Sequence, residues 1–179
     1  MLKEKTLNSE HVFRGKILNV RVDTVLLPDG RTGTREVVEY TGAVAVLALT
    51  EDQEVIMVRQ YRHPVGRELT ELPAGKIEEG EDPESSARRE LLEEVGCEAQ
   101  SWRLLGRFYS TPGFTSEEMH LYLAQKLTFR DQAPDEDEFV EVVRVPFAEA
   151  VHMALKGQIC DAKSICGLLW CSKVLEQRV

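Results

Sequence analysis

The hydrophobic and polar positions of "KILNVRVDTVLLPDGRTGTREVVEYTG" read as strands. The β-branched Val20, Val22 and Val25 suit half-buried strands, and Asp29-Gly30 is a turn signal between two apolar runs. "AVAVLALTEDQEVIMVRQYR" gives a buried strand, a polar turn at Thr50 to Gln53 and a second strand. "ELTELPAGKIEEGED", with Pro73, Gly75 and Gly80, predicts a loop or short hairpin. The clearest helix follows: Asp82 suits the N-cap, Pro83 the first helical position and Gly96 the C′ position. "WRLLGRFYS" and "MHLYLAQKL" read as strands flanking the loop "TPGFTSEE"; "FRDQAPDEDE" reads as an acidic loop and "FVEVVRVPF" as a strand. Two helices close the pattern, about Phe147 to Lys156 and Asp161 to Glu176, with Asp161 as the second N-cap. Strands come in runs with few helices between, which predicts a mixed sheet with helices packed on it rather than a doubly wound parallel sheet.

Composition narrows the function classes. A chain of 179 residues suits one domain with a real core. The formal net charge is −9, with no block of Lys or Arg, which argues against a nonspecific nucleic-acid binder. A small anionic substrate stays open, because a few local arginines can bind one. "LKEKTLNSEHVF" lacks the apolar core of a signal peptide, and no apolar run is long enough to span a bilayer. Cys97, Cys160, Cys166 and Cys171 form no CxxC pair and read as reduced, mostly buried thiols. The expectation is a cytoplasmic protein with no membrane partner. His63, His120 and His152 show no ligand spacing.

"RRELLEEVG" raises a physical question. Glu90, Glu93 and Glu94 share one helical face. Like charges at these spacings cost about 0.2–0.5 kcal/mol per pair, and the last turn of a helix disfavours anions. A divalent cation would remove the penalty, and Mg²⁺ is a hard ion that prefers carboxylate oxygens. The bland alternative is a solvated acidic face with Arg88 and Arg89 as intrahelical partners.

Gly75, five residues, Glu81, seven residues and "RELLEEVGC" fit the Nudix box without a gap. Gly75, Glu81, Arg89, Glu90, Glu93, Glu94 and Gly96 occupy its fixed positions; Cys97 replaces the usual aliphatic residue. The chain thus resembles Nudix hydrolases, which implies an α/β/α sandwich around a mixed sheet. The resemblance implies Glu90 and Glu94 as principal Mg²⁺ ligands, Glu93 on a further metal and the Ala74 carbonyl completing the coordination; Mn²⁺ can substitute. Glu81 and Arg89 are implied to hold loop and helix in register.

Outside the box, "REVVEYTGAVAVL", "VRQYR", "ELPAGKIEEGE" and "STPGFTSE" resemble ADP-ribose pyrophosphatases, as does Pro112, fifteen residues past Cys97. Enzymes acting on GDP-mannose and other nucleoside diphosphate sugars share parts of these motifs. A pyrophosphate needs cationic donors, and guanidinium forks fit its oxygens. Arg62 is the candidate; its alternative is a surface arginine covering the sheet edge. By resemblance, Arg35 and Glu36 contact the nucleotide across a dimer, or else form a cross-strand charge pair. Glu117 matches a substrate-loop position near the terminal ribose, or is a solvated loop acid. The base that takes the attacking water's proton is implied in "PDEDEFVEV", Glu138 before Glu136.

The expectation is a Mg²⁺-dependent homodimeric enzyme that hydrolyses ADP-ribose to AMP and ribose 5-phosphate. Residues 1–42 form an antiparallel strand region contributing to dimerisation, and residues 43–179 the hydrolase domain. The rivals are a hydrolase of another nucleoside diphosphate sugar such as GDP-mannose, and a noncatalytic nucleotide-binding module.

Overall fold

A computed structural model describes residues 2–132 and 139–176 of the chain. Its contacts form two compact units, Met1–Gly42 with Tyr109–Glu118, and Ala43–Phe108 with Met119–Val179.

The first unit carries an antiparallel three-stranded sheet of β1 (Lys5–Arg14), β2 (Asn19–Leu26) and β3 (Thr32–Glu39) in that order. The turn at Asp29-Gly30 forms as the pattern predicts: Gly30 donates to the Leu27 carbonyl and Leu27 to the Arg31 carbonyl. Strand β1 has no counterpart in the sequence pattern. All ten of its residues are exposed, so no apolar alternation marks it. Side-chain bonds to β2 and β3 add to its ladder: the Ser9 hydroxyl donates to Asp23 of β2 at 2.6 Å, and His11 meets Glu39 of β3 at 2.8 Å.

The second unit is built on a seven-stranded sheet. Its main path is β10 (Glu141–Pro146), β5 (Glu54–Arg62), β4 (Ala43–Leu49), β9 (Glu118–Phe129) and β8 (Cys97–Tyr109). Two short strands lie off that path: β6 (Arg67–Glu71) pairs with β5 and β7 (Ala74–Lys76) with β4. The segment expected to be a loop or hairpin is therefore two strands, and their partners are not each other. The sheet is mixed as expected, because β4 runs parallel to β9 while β5 and β7 oppose it.

All seven residues of β4 are buried, and helices contact it from α1 (Pro83–Val95) and α3 (Ala162–Glu176). Alternate side chains face opposite ways along a strand. Val44, Val46 and Ala48 accordingly join Ala87, Leu91 and Val95 of α1 in one apolar cluster. Full burial of a side chain such as Leu91 contributes about 1.5–3 kcal/mol. The remaining helix, α2 (Phe147–Leu155), packs against α3.

Both ends of α1 are as the sequence predicts. Asp82 accepts from the Glu84 and Ser85 amides at 3.1 Å each, and Pro83 opens the helix. Gly96 closes it at φ +65°, where its N–H reaches the Leu91 and Leu92 carbonyls. A Cβ there would lie 2.4 Å from the Arg130 carbonyl, so both conformation and space demand glycine. Cys97 begins β8 inside the core, where burial pushes its thiol up to about 11. Cys171 is also buried, Cys166 partly so, and Cys160 is exposed; all are free. Among the described residues no helix is long and apolar enough to cross a membrane.

Candidate active site

Helix α1 faces the Gly75 strand with its acidic side. Arg89 is the hub. Its Nε and Nη2 donate to the two Glu81 oxygens at 3.2 and 3.0 Å, which ties the loop to the helix. Nη2 also reaches the Lys76 carbonyl at 3.1 Å. Nη1 donates to Glu90 at 2.7 Å and Glu93 at 2.9 Å. The Glu81 bond chiefly raises the Arg89 pKa, and the same bond holds the Glu81 carboxyl below the usual range. The repulsion posed by "RRELLEEVG" is thus relieved in part by Arg89, before any metal is invoked.

Glu94 is 3% exposed, deeper than its neighbours, and its Oε2 accepts the Ala74 amide at 2.9 Å. The structure therefore brings Ala74 to Glu94 through its N–H group. Gly75 explains how the strand approaches so closely: a Cβ on it would lie 1.9–2.2 Å from the Glu90 carboxyl carbon and oxygens. Only glycine leaves room for that carboxylate. Among the described residues no three His, Cys, Asp or Glu side chains are drawn close enough to enclose an ion. The donor set nonetheless fits a hard divalent cation: carboxylates on one helix face, beside a strand whose glycine makes space for one of them.

Arg62 stands at the end of β5 and its side chain is 38% exposed. Its Nε and Nη2 grip Glu71 in a fork, at 3.0 and 2.8 Å. It is neither a lone surface arginine nor a wholly free phosphate donor. Glu71, on β6, is buried and takes a second cation, Lys163 of α3. Burial pushes the Glu71 carboxyl up, but Arg62 and Lys163 outweigh it and hold it below the ordinary value. Sequence reasoning missed Glu71 and Lys163. They lie 92 residues apart, and the one available signal was a carboxylate two residues before the Pro73-Ala74-Gly75 stretch.

Arg35, Glu36 and Glu117 belong to the first unit. Arg35 pairs with Glu4, an N-terminal residue, rather than with a strand neighbour. Arg35 and Glu36 line a cavity of about 430 Å³ with Glu4, Asp23 and Phe114. Glu117 is half-buried, and its amide donates to the Thr115 hydroxyl at 3.2 Å. Glu136 and Glu138 lie outside the described residues.

A NUDIX domain model matches residues 39–167, and a model of the nucleoside diphosphate sugar hydrolase N-terminal domain matches residues 4–38. The chain is 44% identical over 165 residues to an ADP-ribose pyrophosphatase of Bacillus subtilis (strain 168), across 91% of this chain and 89% of the relative. It is 42% identical over 167 residues to a methanol dehydrogenase activator of Bacillus methanolicus, across 92% and 90%. A crystal structure of an ADP compounds hydrolase aligns with a TM-score of 0.86 at 26% identity, over 98% of this chain and 96% of that one.

Proposed function

The chain belongs to the NUDIX domain family, and from that premise we propose that it hydrolyses the pyrophosphate of ADP-ribose, giving AMP and ribose 5-phosphate. One observation carries the chemistry: Gly75, Glu81, Arg89, Glu90 and Glu94 meet where α1 faces β7. The name of the Bacillus subtilis relative supports the choice of ADP-ribose over GDP-mannose. The family implies a divalent cation, and we assign Mg²⁺, with Mn²⁺ as a substitute. Glu90 and Glu94 would hold it, with Glu93 and the Ala74 carbonyl contributing. When bound, the ion supplies positive charge against phosphate oxygens and lowers the pKa of water.

The chain's own residues do the rest. Arg89 and Glu81 fix the helix against the loop. Arg62 binds a diphosphate oxygen through its free edge. Water adds at phosphorus and the P–O–P bridge breaks. The water's proton goes to Glu138, or to Glu136 if Glu138 is not the base. Arg35 and Glu36 serve the nucleotide half from the partner subunit of a homodimer, and Glu117 lies toward the terminal ribose. We place the enzyme in the cytoplasm.

A panel of ADP-ribose, GDP-mannose, UDP-glucose, dinucleoside polyphosphates and nucleoside triphosphates with Mg²⁺ tests this reading. ADP-ribose should show the highest kcat/KM and yield equal AMP and ribose 5-phosphate. A higher kcat/KM on GDP-mannose, or turnover of none of them, overturns it.

A further inference from the structure

Arg62 is held by a closed ring of bonds that reaches into α3. Glu71 receives the Arg62 fork on both oxygens and Lys163 on Oε2. The Lys163 ammonium also lies 3.0 Å from Asp161 Oδ1. The other Asp161 oxygen accepts the Ser164 amide at 3.0 Å and the Ser164 hydroxyl at 2.6 Å. That same hydroxyl oxygen accepts the Leu72 amide at 2.7 Å, which returns the ring to the residue beside Glu71. Glu71 is 1% exposed, the Lys163 side chain 14% and Asp161 17%, so the ring is sheltered from water.

We propose that Glu71 and Lys163 are positioning residues for Arg62, holding its guanidinium by one edge so that Nη1 is presented to the diphosphate of the substrate. The inference rests on the reading of the site as one that binds a diphosphate. Among the described residues Nη1 makes no hydrogen bond, while Nε and Nη2 are both committed to Glu71. An arginine held in a planar fork loses less freedom on meeting a second anion than one that wanders. Lys163 holds Oε2 of the same carboxylate, and the Leu72–Ser164 bond ties the backbone beside Glu71 to α3. The Glu71 bonds chiefly raise the Arg62 pKa, and the charge of Glu94, a proposed metal ligand, adds to that rise. A low-dielectric setting strengthens each of these bonds and makes the loss of one more costly.

The test is a double-substitution cycle run on the best substrate of the panel, so that a preference for a compound other than ADP-ribose alters only the choice of assay. Lys163→Met should raise KM about tenfold with kcat changed less than about twofold, since the arrangement acts on binding. Lys163→Arg should recover most of that loss. In an Arg62→Ala background, Lys163→Met should have no further effect on kcat/KM. A second readout needs no turnover: the Arg62 Nε–H resonance should be sharp and slow to exchange in the parent and broadened in both Lys163→Met and Glu71→Gln. Equal losses from Lys163→Met in the two backgrounds would show a merely structural role and overturn the proposal. So would an unchanged Arg62 resonance in Lys163→Met.

Discussion

Strands β1 and β4 are both regular and well paired, yet β1 exposes all ten of its residues and β4 buries all seven. β4 is stabilised by the removal of apolar surface on both faces, and a strand covered twice reads as an unbroken apolar run. β1 has no such driving force within one chain. Its ladder, the Ser9–Asp23 bond and the His11–Glu39 contact hold it, while Leu7, Val12 and Phe13 point apolar surface outward. One strand states its structure in its composition; the other states a need for something to cover it.

The largest expected effect lies on the β4 side. Glu94→Gln should lower kcat by about two orders of magnitude or more while the thermal melt stays cooperative, because the buried carboxylate is a proposed metal ligand. Near-normal turnover at saturating Mg²⁺ would remove Glu94 from the site. Next comes a stability contrast read by urea unfolding. Leu91→Ala, at a fully buried position, should cost about 2–5 kcal/mol. Leu7→Ala on β1 should cost less than about 0.5 kcal/mol to the isolated chain. Similar losses at the two positions would erase the distinction drawn between the strands.

A smaller effect sharpens the question of what covers β1. If a second copy does so, and lends Arg35 to its partner's site, mixing inactive Arg35→Ala with inactive Glu94→Gln should restore activity. Random exchange of equal amounts gives about a quarter of the parent rate, since half the dimers then hold one intact site. No recovery despite proven subunit exchange rejects the shared site and leaves the chemistry of α1 intact. The smallest effect concerns acid. Glu71 has a folded pKa below its unfolded value, so its contribution is fully present above about pH 4.3 and is lost as pH falls through the folded value. The urea midpoint of the parent should therefore fall more steeply below about pH 4 than that of Glu71→Gln. Parallel curves would count against the buried pair as a source of stability.

The same contrast explains what the sequence made legible. The β2–β3 turn, the β4–β5 pair, both caps of α1 and the two last helices follow from local signals: a turn dipeptide, an apolar run, an N-cap acid, a C′ glycine. The glutamates of α1 were legible because helical spacing alone puts them on one face. The β6 and β7 strands were not, because three to five residues carry no period and each takes its partner from a different strand. Glu71 and Lys163 were hidden for a related reason. Their pairing is created by packing α3 against the sheet, and neither residue is unusual in its own stretch of sequence.

The parallel pairing of β4 with β9 has a consequence in time. Ala43 meets Met119 and Ala48 meets Ala124, so the chain's most apolar strand finds this neighbour only after two-thirds of the protein has left the ribosome. The β1–β2–β3 meander, by contrast, can zip from local hairpins as soon as it emerges. During synthesis β4 must wait with the edge that β9 will take unpaired, and that interval is when a nascent chain is most prone to stick to others. Refolding from denaturant should accordingly show an early phase from the meander and a slower one from the core, with aggregation competing only against the second.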